Sequence, residues 1–508
     1  MLRIDWSIND QYQYGWFVPP IALALFAMRW PGRPAPHPLP GGSAGRNLAW
    51  LAAGFLLLLL PIRLLEGPNP DWRLIYWFHA SLLLGLSLGA LAWSGGRPWV
   101  RHFAFPVGFL LLAVPWPSGL EQNIVQGLMR FAANVAAELM NLLAIPAQAQ
   151  GNLIRVRDQV VGVDEACSGI RSLQTTLMGG CLFGELSRFR VGRRLALLAG
   201  GIVFALVANI FRSSLLVWLA ANHGVGAIEK YHDLAGVSVL LVSFGGLYAL
   251  NGWLARGTRG KPGGSPAAPT ADAPPAESPV AVPPGRRLPL PFVLAAVGWL
   301  ALVELGNAAW YHPGKAPPEG AAPRWTVVPR ADAPGYQTVR IDDRTARLLR
   351  YDRGLAAHWN LPDPARPFAP AETCQLFFFR WEPGHASAAQ ADMHQPHICL
   401  TASGLAMTAD HGVQPIGLPG GLSLPVRRYD FVWHGRPVYV FFVVWQDGTG
   451  GLAMPGAPSG RWERVRAVIE RRVNRGRQTM EMIVAGPTNP TDAAALCARE
   501  LAGVVRPL

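Results

Sequence analysis

The sequence is short of charge. Only 15% of its 508 residues are Asp, Glu, Lys or Arg and half are hydrophobic, whereas globular domains average about a quarter charged, so a single soluble globule of ordinary composition is excluded. The shortage is uneven. Before about residue 308 the apolar residues run in uninterrupted blocks, and the last 200 residues mix charge, aromatics and turn formers. A membrane part and a soluble part follow. Cysteine is scarce as well: the five cysteines include no C-x-x-C pair, which removes the zinc-ribbon and thioredoxin-like spacings. Also missing is a basic stretch ahead of the first apolar block. The segment to Tyr14 is acidic or polar, so no cleavable signal peptide is expected and the first block is expected to remain as a membrane helix. Acidic residues are fewer than basic ones, 32 against 45, for a net charge of +13. The arginines sit in short loops between apolar blocks rather than on one stripe, which is the positive-inside pattern and not a nucleic-acid footprint. The expected partner of this charge is the lipid bilayer, with no nucleic acid.

Blocks long enough to span lie near 15–29, 47–64, 73–93, 195–220, 233–254 and 289–308, with shorter or more polar ones near 102–115 and 167–186. A bilayer core asks for about 20 apolar residues per helix. One set of loops carries Arg29, Arg33 and Arg46, then Arg97 and Arg101, then Arg188, Arg190, Arg193 and Arg194, then Arg256, Arg259, Lys261, Arg286 and Arg287. These alternate with loops holding Glu66 and Asp71, Asp164 and Glu165, or Glu229 and Asp233. Alternation in register places the N-terminus and everything after Asn307 outside, with eight crossings between them. In a bacterium that means the inner membrane, with the outside being the periplasm.

Segment 120–145 does not fit a plain crossing. It carries Asn123, Gln126, Arg130, Asn134, Glu138 and Asn141 at three- and four-residue steps, one polar stripe on a helix. The stripe is expected at the outer interface, because a full crossing would reverse every later loop against its charge. Residues 151–163 read as a small hairpin around Asp158 and Gln159. Residues 257–285 are rich in Gly, Pro, Ala and Ser, so a disordered cytoplasmic linker is expected there. Beyond 309, strand-like runs occupy 338–342, 346–351, 375–381, 427–434 and 437–445, the last two joined at His434-Gly435-Arg436, and helical patterns occupy 460–474 and 490–502. The expected fold is thus a polytopic α-helical membrane protein of about eight transmembrane helices with a C-terminal periplasmic α+β domain. Its parts would be a membrane domain over 1–256, a linker over 257–288, a helix over 289–308 and the soluble domain over 309–508.

Three residues stand out for chemistry. Cys167, in Val163-Asp164-Glu165-Ala166-Cys167-Ser168-Gly169-Ile170-Arg171-Ser172, is expected at the N-terminus of a membrane helix at the outer face, where peptide dipoles favour a thiolate. Asp164 and Glu165 oppose that ionisation, so a cation from elsewhere in the bundle is required. Arg212, in Ala208-Asn209-Ile210-Phe211-Arg212-Ser213-Ser214, lies inside an apolar helix. A buried membrane arginine costs about 2.5–3.5 kcal/mol even on mild scales, which favours a role in a polar site over simple snorkelling. His232, in Tyr231-His232-Asp233-Leu234-Ala235-Gly236, opens the next helix on the same side. Its imidazole can take a proton from a thiol and return it to a leaving amine, although a lone interfacial histidine is more often only solvated.

Arg171 lies four residues after Cys167, hence on the same helical face, and serves either to orient substrate or to balance the two acids. Ser168 reads most simply as a cap, with a serine nucleophile left open. Cys181, inside the apolar helix, reads as packing.

Cys-Ser-Gly-Ile-Arg-Ser, then Asn-Ile-Phe-Arg on the following helix, then His-Asp-Leu-Ala-Gly on the next, in that order and topology, resemble the exosortase/archaeosortase family over roughly 15–255. The resemblance implies a membrane cysteine protease and transpeptidase acting on exported proteins. Their C-terminal sorting tag would hold a short Pro motif, a membrane helix and a basic tail. By motif, Cys167 would attack the scissile carbonyl, Arg212 would stabilise the thiolate or oxyanion, and His232 would be the acid–base, with Asn209, Arg171 and Ser168 in support. An acceptor nucleophile, such as a surface glycan, would resolve the thioester. No cofactor and no metal are expected.

In the soluble part, His394-Gln395-Pro396-His397-Ile398-Cys399-Leu400 resembles an element of the exosortase-associated domain. It departs downstream, where Gly404-Leu405 stands in place of Gly-Trp. Cys374 and Cys399 are candidates to pair in an oxidising compartment, leaving Cys497 in a helix, and His394, His397 and Cys399 lack a second cluster for a metal. The competing reading of the whole chain is a non-catalytic membrane component of exopolysaccharide assembly or transport, with Arg212 and His232 lining a pathway. A third is an intramembrane protease that only hydrolyses.

Overall fold

The computed structural model describes residues 2–37, 43–69, 72–157, 159–163, 168–224, 226–256, 287–311, 325–341, 346, 349–361, 372–382, 395–402, 404–433, 435–447, 461–471, 476–486 and 489–508. The segment 257–286, most of the expected linker, lies outside them. The chain forms two compact units, Met1–Arg63 with Trp72–Gly306, and Leu64–Asp71 with Asn307–Leu508.

The first unit is helical. It runs α1 (Leu2–Ile8), a 3-10 segment (Asp10–Trp16), α2 (Val18–Arg29), α3 (Ser43–Glu66), α4 (Leu74–Phe109), α5 (Ser118–Leu142), α6 (Ile170–Leu186), α7 (Val191–His223), α8 (Gly226–Arg256) and α9 (Leu290–Trp310). The 3-10 segment is fixed at its start by Asn9, whose side chain accepts from the Gln11 amide. Prolines at the start of α2 satisfy the first-turn preference for residues without an amide hydrogen. Among the described residues five helices, lying within α3, α4, α7, α8 and α9, are long and apolar enough to cross a bilayer. The protein is therefore a multi-pass membrane protein.

The expected blocks 73–93 and 102–115 are the two arms of α4. The break is at Gly96, whose φ of 69° and ψ of −164° no helix residue adopts, with Pro98 just beyond. The Trp99 indole donates to Pro34 O at 2.9 Å and pins the loop after α2 against this break.

The polar stripe of 120–145 is on α5, and Asn123, Arg130, Asn134, Glu138 and Asn141 are exposed. The opposite face, built of Val125, Met129, Ala132, Ala133, Ala136, Ala137 and Met140, is buried. Small alanines allow close approach to α7, with Leu216, Val217 and Ala220 in the same core. The expected hairpin is larger than the sequence pattern suggested. Three antiparallel strands, β1 (Ala147–Gln150), β2 (Leu153–Val156) and β3 (Gln159–Gly162), form a meander, and Ile154, Val156 and Val161 join the α5–α7 core. Arg157 donates to Ala221 O at 2.9 Å near the end of α7. The meander thus fixes Val163, four residues before Cys167, beside that end of the helix.

In the second unit a seven-stranded antiparallel sheet has the order β5-β6-β7-β11-β10-β9-β8, formed by β5 (Gln337–Thr338), β6 (Arg353–Leu361), β7 (Glu372–Trp381), β8 (Ala406–Gly417), β9 (Ser423–Trp433), β10 (Arg436–Gln446) and β11 (Arg477–Ala485). A two-stranded sheet pairs β4 (Trp325–Val327) with β12 (Val505–Pro507). The helices are α10 (Pro396–Ala402), α11 (Arg461–Ile469) and α12 (Pro490–Val504). Strand β10 reads as a continuous apolar run because it is covered on both faces: Tyr439, Phe441, Val443 and Trp445 join Leu496, Cys497 and Leu501 of α12 in one core, and Val440, Phe442 and Val444, with Tyr429 and Phe431 of β9 beside them, pack with Leu400 and Leu405 on the other. The strand expected over 346–351 is absent at its described residues. The strand starts instead at Arg353, after the left-handed Arg350.

The Cys374–Cys399 pairing that the sequence left open is not formed. None of the four described cysteines is in a disulfide. Cys374 is buried with Cys497 on the α12 face of the sheet, whereas Cys399 is exposed on α10, whose Leu400 packs against the opposite face. A seven-stranded sheet stands between the two sulfurs, beyond the span of a disulfide.

Candidate active site

Helix α7 runs antiparallel to both α6 and α8 and packs against each, and that packing decides where the motif residues meet. A Cβ on Gly180 would lie 2.8 Å from Leu198 Cδ2, and one on Gly201 would lie 2.8 Å from Thr176 Cγ2. Both are shorter than real Cβ contacts, so side chains of α6 and α7 occupy the space that the missing Cβ atoms leave, and a larger residue at either glycine would have to displace them. The same register continues to Gly169 at the start of α6.

Gly169, two residues after Cys167, has a φ of 84°, and a Cβ there would fall 2.7 Å from Asn209 Cγ. It is the N-cap of α6, so the helix begins at Ile170. The helix start expected at Cys167 is thus three residues further on; Asp164, Glu165 and Cys167 themselves lie outside the described residues. Ser168 is buried and its Oγ accepts from the Ile170 amide at 3.3 Å, which gives the capping reading of this serine a contact. Ser172 Oγ donates to Gly169 O at 2.8 Å and closes the same turn.

Asn209 is one helical turn from Arg212 on α7, and both are buried. The Arg212 guanidinium lies over the backbone of α8: a Cβ on Gly236 would sit 3.5 Å from Nη2 and 3.8 Å from Cζ. Gly236 is four residues after His232, so the two share a face of α8. The His232 backbone is inside α8, two turns from its start rather than at it, and its side chain is outside the description. The contacts Gly169 to Asn209 and Arg212 to Gly236 therefore link all three motifs across adjacent helices. Sequence spacing identified the motifs; Gly169, whose missing Cβ lets the first two touch, was inside the quoted runs, but its close approach to Asn209 has no signal in one sequence.

Arg171 leaves this cluster. Its Nη2 donates to Gln13 Oε1 at 3.1 Å, tying α6 to the 3-10 segment. That segment has its own buried polar centre. Tyr12 Oη donates to Glu121 Oε2 at 2.8 Å and accepts from the Trp116 amide at 2.9 Å, and Arg73 pairs with Glu121 and lies over the Tyr12 ring. At the far end of α6, Glu185 pairs with Arg29 and Arg194. Cys181 packs among apolar residues, as expected. Among the described residues no cluster of His, Cys, Asp and Glu has the makings of a metal site.

In the second unit, His397 of the His-x-Pro-x-x-Cys-Leu run lies 3.2 Å from Tyr429 Oη and stacks on that ring. Burial lowers the His397 pKa and raises that of Tyr429 to about 12. Arg427, paired with Asp410 at 2.6 Å, has its guanidinium 5.2 Å from the Tyr429 ring centre. His394 is outside the described residues.

The first unit is thus a polytopic helical membrane protein in which a cysteine-bearing segment, a buried arginine and a histidine-bearing helix converge at one end of a three-helix packing unit. Residues 6–249 match the model of the transmembrane exosortase family (EpsH), so the likeness to that family covers this membrane part, 244 of the 508 residues. No curated protein and no solved structure matches the chain.

Proposed function

We propose that this protein is a cysteine peptidase and transpeptidase of the inner membrane, which cleaves the C-terminal sorting tag of exported proteins and transfers the new C-terminus to a surface acceptor. The observation that carries the reading is the convergence of the three motifs through the Gly169–Asn209 and Arg212–Gly236 contacts. In this reading the Cys167 thiolate attacks the scissile carbonyl, and His232 takes the thiol proton and delivers it to the leaving amine. The Arg212 guanidinium, always charged, faces the developing oxyanion. Its burial in an apolar helix bundle strengthens that interaction relative to water. The resulting thioester passes to an acceptor nucleophile. The active end and the C-terminal domain face the periplasm, as the arginine-rich loops on the other side require.

The test is processing of a co-expressed exported protein ending in a Pro motif, an apolar helix and an arginine cluster. Cys167→Ala abolishes processing if the reading is right, and continued processing removes the nucleophile. Mass analysis of the product separates transfer from hydrolysis, since a free carboxylate on every product would leave no transpeptidation.

A further inference from the structure

A second polar feature lies beside the proposed site and takes no part in it. Gln174 on α6 and Gln11 in the 3-10 segment are 3% and 6% exposed, and neither side-chain amide has a hydrogen-bond partner at its oxygen or its nitrogen among the described residues. Both face the same junction. Gln174 sits three residues after Arg171, which reaches Gln13 of the 3-10 segment, and four before Met178, which packs on the cluster of Tyr12, Tyr14 and Val18. In a 3-10 helix residues three apart eclipse, so Gln11 shares the face of Tyr14, a member of that cluster.

Buried amides without partners are rare, because desolvation is then uncompensated. A primary amide offers two donors and two lone pairs, matching the N–H and C=O of a peptide unit, and it has no charge with which to hold a phosphate or carboxylate. The location matters as well. Gln174 is roughly 7 Å along the helix from Gly169, about two residues of extended chain. A polypeptide whose membrane helix starts just past the scissile bond brings four unsatisfied N–H groups to this depth, and lipid has no acceptors for them.

We propose that Gln174 and Gln11 form a backbone-recognition subsite that accepts the first-turn N–H groups of the substrate's membrane helix on the leaving-group side of the cleaved bond. This assignment rests on the peptidase reading above. It makes recognition there independent of the substrate's side chains and selects for the position at which its helix begins.

The experiment uses full-length protein in native membranes. In a Cys167→Ala background, which leaves the tag uncut, Gln174→Cys is combined with single cysteines walked through the first eight helix residues of the tag, and disulfides are formed with copper phenanthroline. Crosslinks are expected at positions on one face of the first two turns, and none when Gln174 is retained. No crosslink anywhere, with the wild-type chain still cutting the tag, overturns the subsite and leaves the peptidase reading standing. A wild-type chain that does not cut the tag overturns the peptidase reading and this assignment with it, an outcome distinct from cutting without crosslinks. Gln174→Leu supplies a second readout: processing falls about tenfold while the thermal stability of the detergent-extracted chain rises, because the orphan amide is gone. A merely structural glutamine would lose stability on that change, and unaltered processing would also overturn the proposal.

Discussion

Replacing Gly169 by alanine tests the junction of the cysteine segment with α7. The residue has a φ of 84°, in the left-handed region that costs an L-residue with a Cβ about 1–2 kcal/mol. The new methyl would also fall 2.7 Å from Asn209 Cγ, 2.9 Å from Nδ2 and 3.0 Å from Cβ. The amide can rotate, for about 0.5–1.5 kcal/mol off its rotamer, but the Asn209 Cβ is fixed to α7 and the two backbones must separate. Together this displaces the junction by about 2–3 kcal/mol, or roughly 30- to 150-fold in rate if it falls on the reacting geometry. The assay is pulse-chase processing of a tagged exported protein, with the chain's level in membranes measured alongside. In an Asn209→Gly background the alanine should cost much less, since its steric partner is gone. Wild-type processing by Gly169→Ala at normal expression would refute the argument, as would strict additivity of the two changes.

Gly236→Ala should be nearly silent, because its methyl would sit at ordinary contact distance, 3.5 Å, from Arg212 Nη2; Gly236→Leu must displace the guanidinium and should lower processing at least tenfold in the same assay. The Glu481 carboxyl, opposite Phe377 and Phe442 in the sheet, is pushed by burial from 4.5 to about 7. The folded state therefore holds a proton that the unfolded state has lost between those values, so stability falls as pH rises from about 4.5 to 7, by at most about 3 kcal/mol. Thermal unfolding of the full chain at pH 5 and pH 8 should show this slope in the wild type, and a smaller one in Glu481→Gln. Alkylation followed by peptide mass analysis should label exposed Cys399 at once, and Cys374 and Cys497 only after denaturation, since burial raises both thiols; a Cys374–Cys399 disulfide in native protein would contradict the sheet topology.

The membrane part was largely legible because its signals are long. Blocks of apolar residues do not depend on distant packing, and the three motifs carry their own order; of the eight expected crossings, five are long and apolar enough among the described residues. The kink at Gly96 was harder to read, since a Gly-Gly-Arg-Pro run suggests a loop and the structure instead keeps both arms in one broken helix. In the C-terminal unit, the expected strands at 427–434 and 437–445 are apolar and joined across Gly435, whose positive φ suits a tight turn. Strand β11 was missed although it is central: Glu481 interrupts its apolar pattern, and only the flanking strands that bury it make it a strand. Strand β8 was missed for the opposite reason. It is an edge strand, where Gly412 and Pro415 are tolerated and the usual strand composition is not required. At the candidate site, the motifs were visible and their contacts were not, because Gly169 against Asn209 is a tertiary event. Gln11 and Gln174 gave no sequence signal, since a polar residue in an apolar helix declares itself only once its surroundings are known.

The most direct measurement is of the covalent state of Cys167 during turnover. A tagged exported protein is processed in membranes, quenched in acid, and the peptide containing Cys167 is analysed by mass spectrometry before and after hydroxylamine. The account predicts a hydroxylamine-sensitive thioester joining Cys167 to the substrate residue at the cleavage point, lost in Cys167→Ala together with processing. An acyl group on Ser168 or any other residue, or processing that persists without Cys167, would contradict it.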